Sequence, residues 1–134
     1  MNETYLGNAN IKRDGVVHNF TKDEVVEYKK CLDSPSYFAV NYCKIIHVDK
    51  GLVPFELYPY QEKMFDHFNS NRFSIVLACR QSGKSISSVA YLLWYAIFHP
   101  EKVIAILANK GATAQEMLGR VTLMLENLPF FLQP

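Results

Sequence analysis

The chain has 134 residues, of which 49% are apolar and 20% charged. That is the size of one domain, with enough apolar content for a sizeable core, and it excludes a polar, disordered chain. The formal net charge of +1 excludes a strongly basic nucleic-acid surface in the totals and leaves room only for local patches.

Residues 1–20 carry Gly7, Gly15 and several Asn with little periodicity, and predict a flexible arm. The polar, Asn-rich run Met1 to Asn10 lacks the apolar stretch of a secretory signal. Thr21, followed three residues on by Glu24, is a capping box, so a helix is expected from there to about Leu32. Ser34-Pro35 marks a second start, because proline suits the first helical position. This second helix should carry Phe38, Tyr42, Ile45 and Ile46 on one face and end near His47. Asp49-Lys50-Gly51 is a turn signal. Leu52 to Leu57 contains Pro54 and reads as an extended segment rather than a central strand. Tyr58 to Ser70 returns to a helical pattern, with Met64, Phe65 and Phe68 on one side.

Phe73 to Ala78 is nearly continuous apolar sequence and predicts a strand buried on both faces, as in a parallel sheet. A helix from about Gly83 to Phe98 follows, with Val89, Leu93, Ala96 and Ile97 inward and His99-Pro100 as its stop. Its apolar run, Val89 to Phe98, is too short to span a bilayer, so no membrane contact is expected. Val103 to Ala108 is a second strand of the same kind. Thr113 and Glu116 form another capping box, and Leu118, Val121, Thr122, Leu125 and Leu128 line the last helix before Pro129. From residue 73 the order strand, helix, strand, helix means α/β with a parallel, right-handed crossover. The organisation expected is an arm over 1–20, a helical subdomain over 21–70 and the first part of an ATPase core over 71–134.

The chemistry is concentrated at Ala78-Cys79-Arg80-Gln81-Ser82-Gly83-Lys84-Ser85. This is the phosphate-loop pattern G-x-x-x-x-G-K-[ST] with Ala at its first position. It stands between an apolar run and a helical pattern. In such a loop, successive backbone N–H groups face phosphate oxygens, and the following helix points its positive dipole end at the anion. Gly83 allows close backbone approach, Lys84 reaches the β- and γ-phosphates, and the Ser85 hydroxyl ligates Mg²⁺. Arg80, inside the loop, is placed to stabilise charge on the leaving phosphates, or else faces solvent. Upstream lie Tyr60 and Gln61, about twenty residues before Lys84. A side-chain amide can pair with the N6/N7 edge of adenine while an aromatic ring stacks on it. The alternative is an exposed helix glutamine beside packing tyrosines. The three cysteines, Cys31, Cys43 and Cys79, have no C-x-x-C spacing and fit a reduced, cytosolic compartment. The four histidines lack metal-ligand spacing. Lys102, Lys110 and Arg120 are scattered cations, read as a solvated face rather than a DNA contact.

Together these features resemble the large terminase subunit of tailed phages, the ATP-driven DNA-packaging motor, in its T4-like group. The resemblance is carried by Tyr60-Gln61 and by Cys79 to Ser85 with its internal Arg80. It continues in Ile104 to Gly111 and in the closing Leu128-Pro129-Phe130-Phe131-Leu132-Gln133-Pro134. Tyr37-Phe38-Ala39, Asn41-Tyr42-Cys43 and His47-Val48-Asp49 add to it, so that it covers most of the chain from about Ala9. It implies a P-loop NTPase fold of the ASCE type, with ATP and Mg²⁺ as cofactors and an RNase-H-like nuclease domain further on. It also implies work in the host cytoplasm at the procapsid portal. The implied partners are the remainder of the large subunit, the portal protein, the small terminase subunit and double-stranded DNA. No apolar strand ending in Asp-Glu follows the loop, so the expectation is a fragment: a parallel sheet left incomplete, exposed strand edges and negligible turnover alone. Two other readings stay open. One is a helicase- or translocase-like ATPase, against which Arg80 and the closing segment argue. The other is a non-catalytic module docking on portal or small subunit.

Overall fold

In the computed structural model, which describes residues 4–134, the Thr21 capping box forms. The Glu24 amide donates to Thr21 Oγ1 at 3.3 Å, and the Thr21 amide donates to a Glu24 carboxylate oxygen at 2.8 Å. Helix α1 runs Lys22–Asp33. Ser34 caps α2, Pro35–Tyr42, by accepting the Tyr37 amide at 3.1 Å, with Pro35 in the first turn.

Helix α2 stops at Tyr42, five residues before the expected end. Cys43 is its C-cap, and Lys44-Ile45-Ile46-His47 is a strand instead. The segment is rich in β-branched residues, which suit a pleated strand. Gly51, at φ +71°, opens the return strand and makes antiparallel pairing available. Ile45 pairs with Val53 and Ile46 with Leu52. The return strand, Gly51–Pro54, ends on the proline that the sequence marked as incompatible with a central strand.

Residues 4–12 are a second departure. Where a flexible arm is expected, Thr4–Tyr5 (β1) pairs antiparallel with Asn8–Lys12 (β2). The first three residues of that arm lie outside the described residues. The ribbon is tied down by Gln133. Its side-chain oxygen accepts the Lys12 amide at 2.7 Å, and its Nε2 donates to the carbonyls of Asn10 at 2.7 Å and Leu128 at 2.9 Å. The anchor lies 121 residues further along the chain, beyond the reach of local periodicity. With the 44–54 hairpin numbered β3 (Lys44–His47) and β4 (Gly51–Pro54), these are two small antiparallel sheets.

Helices α3 (Pro59–Ser70), α4 (Lys84–Phe98) and α5 (Gly111–Glu126) follow, then a 3₁₀ turn at Phe130–Leu132. Helix α4 is the spine of the core. It buries Val89, Ala90, Leu93, Trp94 and Phe98 against Phe38 and Ala39 of α2, Phe65 of α3 and Met124 of α5. Ala96, expected inward, is exposed. The inward face is centred on Ala90 and Trp94, because α2 and α5 clasp the helix from both sides. Trp94 donates its indole N–H to the Cys31 carbonyl at 2.7 Å. That carbonyl belongs to the last turn of α1, where the helix itself supplies no partner. Helix α5 begins at Gly111, earlier than its expected capping box. The amides of Thr113 and Ala114 bond the Lys110 carbonyl, so Thr113 is already in the first turn, and Glu116 is free to pair with Arg120. Its buried residue is Met124, and Leu128 is buried just past its end, while Leu118 and Thr122 face outward.

Phe73–Ala78 and Val103–Ala108 are not strands among the described residues. Neither joins a ladder, and Phe73, Ile75, Leu77, Val103 and Leu107 are exposed. A strand needs neighbours for its backbone N–H and C=O groups. Here the strands that form pair only within their own hairpins. Among the described residues the architecture is therefore mixed α/β, five α-helices with two antiparallel ribbons. No described helix is long and apolar enough to cross a membrane.

Candidate functional site

Three elements meet around residues 79–86. Helix α4 begins here, with Gly83 as its N-cap at φ +78°. A side chain at this position would meet two obstacles. The left-handed backbone disfavours it, and its Cβ would lie 2.7 Å from Gln61 Nε2 and 3.7 Å from Tyr60 Oη. Gly83 is thus needed both for its own conformation and for the approach of α3. Gln81 is also left-handed, at φ +59°. For a residue with a Cβ this stores roughly 1–2 kcal/mol, an outlier of the kind found in ligand-binding loops.

The loop is folded onto itself. The Cys79 carbonyl accepts from Ser82 Oγ at 2.9 Å and from Lys84 Nζ at 3.0 Å. Lys84 therefore holds a carbonyl oxygen that an anion could replace. Gly83 offers no side-chain cap, and the first turn of α4 has no acidic residue. The first N–H groups of that helix are left for another acceptor. Gln81, Ser82, Gly83, Lys84, Ser85 and Ile86 line a cavity of about 290 Å³ with Arg120 of α5. No carboxylate lines it. Open amides, a hydroxyl pair, an ammonium and a guanidinium fit a phosphate chain with its metal ion.

A second cavity, about 500 Å³, shares Gln81, Ser82, Gly83 and Ile86 with the first. It is closed on its other side by His47, Lys50, Val53 and Phe55 of the β3–β4 hairpin and its exit. Glu56, Tyr58 and Gln61 also line it. Gln61 is neither exposed nor free. It is 1% accessible, its Oε1 accepts the Tyr58 amide at 2.8 Å, and its Nε2 reaches the Gly83 carbonyl at 3.4 Å. One Nε2 hydrogen remains uncommitted. Tyr58 and Tyr60 are exposed, with rings stacked at 6.0 Å and 9°.

The structure thus brings Tyr60, Gln61, Gln81, Ser82, Gly83, Lys84 and Ser85 together. Cys79 contributes its carbonyl rather than its thiol, which is exposed. Arg80 is exposed and does not line either cavity. Arg120 and the β3–β4 hairpin are brought to the site from elements that sequence spacing alone does not connect to it. The other two thiols are buried in the core. Burial pushes Cys31 up to about 12 and raises Cys43 as well, so neither is a nucleophile. Among the described residues no group of three His, Cys, Asp or Glu side chains is arranged to hold a metal ion. A scan against protein-family models finds no match to this chain.

Proposed function

We propose that this chain is the ATP-binding part of a large terminase subunit, the ATPase that drives viral DNA into the procapsid. The observation that carries the reading is the mouth of α4: a glycine N-cap, uncapped first-turn amides, Lys84 and Ser85 around a cavity without carboxylates. The residues quoted for the resemblance, Tyr60-Gln61 and the arginine-bearing loop, support it.

In this reading the amides of the loop and of the first turn of α4 donate to phosphate oxygens. Lys84 exchanges the Cys79 carbonyl for the β- and γ-phosphates. Ser85 would help to hold Mg²⁺, which would supply charge neutralisation at the transferring phosphate. Arg80 turns inward to the developing charge, and Tyr60 and Gln61 face the base. The 73–78 and 103–108 segments become strands of the parallel sheet of an ASCE-type P-loop NTPase when the later strands that flank them are supplied. The remainder of the large subunit, the portal protein, the small subunit and double-stranded DNA are the partners this reading requires, in the host cytoplasm. The loop offers cations, hydroxyls and amides but no general base, so binding without steady hydrolysis is expected from this chain.

The test is Mg²⁺-dependent binding of a fluorescent ATP analogue to wild type and Lys84→Ala, with far-UV circular dichroism on both. Binding by the wild type and its loss in a folded variant is expected. Two folded proteins that both fail to bind, or bind equally, would overturn the reading.

A further inference from the structure

Arg120 lies 35 residues beyond Ser85, on a different helix from the loop, yet it lines the phosphate-loop cavity with Lys84 and Ser85. It also lines a neighbouring cavity of about 400 Å³, together with Lys44 of β3 and Ile86 of α4. Across the two cavities the lining residues include three cations, Lys44, Lys84 and Arg120, and no carboxylate. The counter-charge of Arg120 comes from outside. Its guanidinium is bonded to Glu116 at 2.6 Å, one turn back on α5, and both side chains are partly solvent-accessible. An exposed pair of this spacing is weak, and it engages the guanidinium through one nitrogen. A phosphate chain in the adjoining cavity is a stronger and geometrically better partner, because the planar fork can bind phosphate oxygens in pairs.

We propose that Arg120 is a phosphate-binding residue of this site, which leaves Glu116 when a nucleoside triphosphate occupies the loop. The inference rests on the phosphate-loop reading and extends it to α5. Glu116 acts as the competing anion that holds Arg120 at the cavity in the absence of nucleotide. Binding is thereby communicated to α5, which carries Met124 of the core.

The experiment is titration of the intact chain with a fluorescent ATP analogue and Mg²⁺, using wild type, Lys84→Ala, Arg120→Ala, Arg120→Lys and Glu116→Gln. Far-UV circular dichroism checks the fold of each. Arg120→Ala is expected to weaken binding about tenfold, the size of one charge-assisted hydrogen-bonded contact. Arg120→Lys should fall between, keeping the charge and losing the fork. Glu116→Gln should tighten binding about twofold, because an exposed i,i+4 pair no longer competes. The opposite directions are the signature: a purely structural ion pair would make both single variants weaken binding together. If Lys84→Ala abolishes binding while Arg120→Ala and Glu116→Gln both weaken it, or neither moves it, Arg120 has no part in phosphate binding and the loop reading survives. If Lys84→Ala binds as wild type does, the loop reading fails and takes this inference with it.

Discussion

Gln61 carries two tasks that sequence cannot separate. The amide was legible as a candidate base contact, because Tyr60-Gln61 precedes the loop by a set distance. What the tertiary structure adds is that the same amide already joins the start of α3 to the N-cap of α4. A residue that only read a base would leave the nucleotide-free protein unaffected. Gln61→Leu is instead expected to cost about 1–2 kcal/mol in denaturant unfolding without nucleotide, because it removes the part-buried bonds to the Tyr58 amide and the Gly83 carbonyl. Unchanged stability would mean that these bonds contribute nothing to the fold. Gly83, by contrast, was legible from its motif alone, and its φ and its closeness to Gln61 give the motif a physical reason.

At the scale of elements, helices were legible where start signals and apolar spacing agreed. Thr21, Ser34-Pro35 and the α3 and α4 patterns all correspond to observed helices. Two of the departures share one cause. Lys44 to His47 and the 4–12 segment became strands because a partner segment lay within reach, and pairing is not a property of either segment alone. The 4–12 ribbon depends on Gln133 to the extent that Gln133→Ala should lower stability by about 2–3 kcal/mol, with several bonds, one buried and the others part-buried, lost at once. Urea unfolding with a midpoint shift at constant slope would show it. The α1–α2 pair has a pH signature of its own. Glu27 accepts from Lys30, Tyr37 and Tyr42 at 2.6, 2.8 and 3.0 Å. The hydrogen bond from Lys30, then those from the two phenols, hold its carboxyl below the ordinary 4.5. A lowered folded value means that the contribution is present above the unfolded pKa and is lost as pH falls through the folded one. Thermal midpoints followed downward from pH 6 should therefore fall less steeply in Glu27→Gln than in wild type. Parallel curves would remove Glu27 from the acid response.

For the molecule as a whole, the notable surface is the pair of apolar segments 73–78 and 103–108. Each has the composition of a buried strand and the exposure of a loop. Unladdered backbone beside exposed Ile75, Leu77 and Leu107 is an invitation to pairing between chains. Light scattering of concentrated protein should rise with time, and Leu77→Lys with Leu107→Lys should suppress that rise without changing the helical circular dichroism signal. Equal scattering from wild type and double variant would place the association elsewhere.

The sequence by itself marked residues 78–85 as a candidate phosphate loop, and it determined the helix starts at Thr21 and Ser34 and the mixed α/β class. Each of these is set by groups a few residues apart, within the range where backbone geometry and capping act. Only the tertiary structure decided which helix faces turn inward, that residues 4–12 are held by Gln133, that Gln61 is buried against Gly83, and that Arg120 joins the loop. Those outcomes come from contacts between segments tens of residues apart, whose free energy depends on the partner as much as on the residue itself.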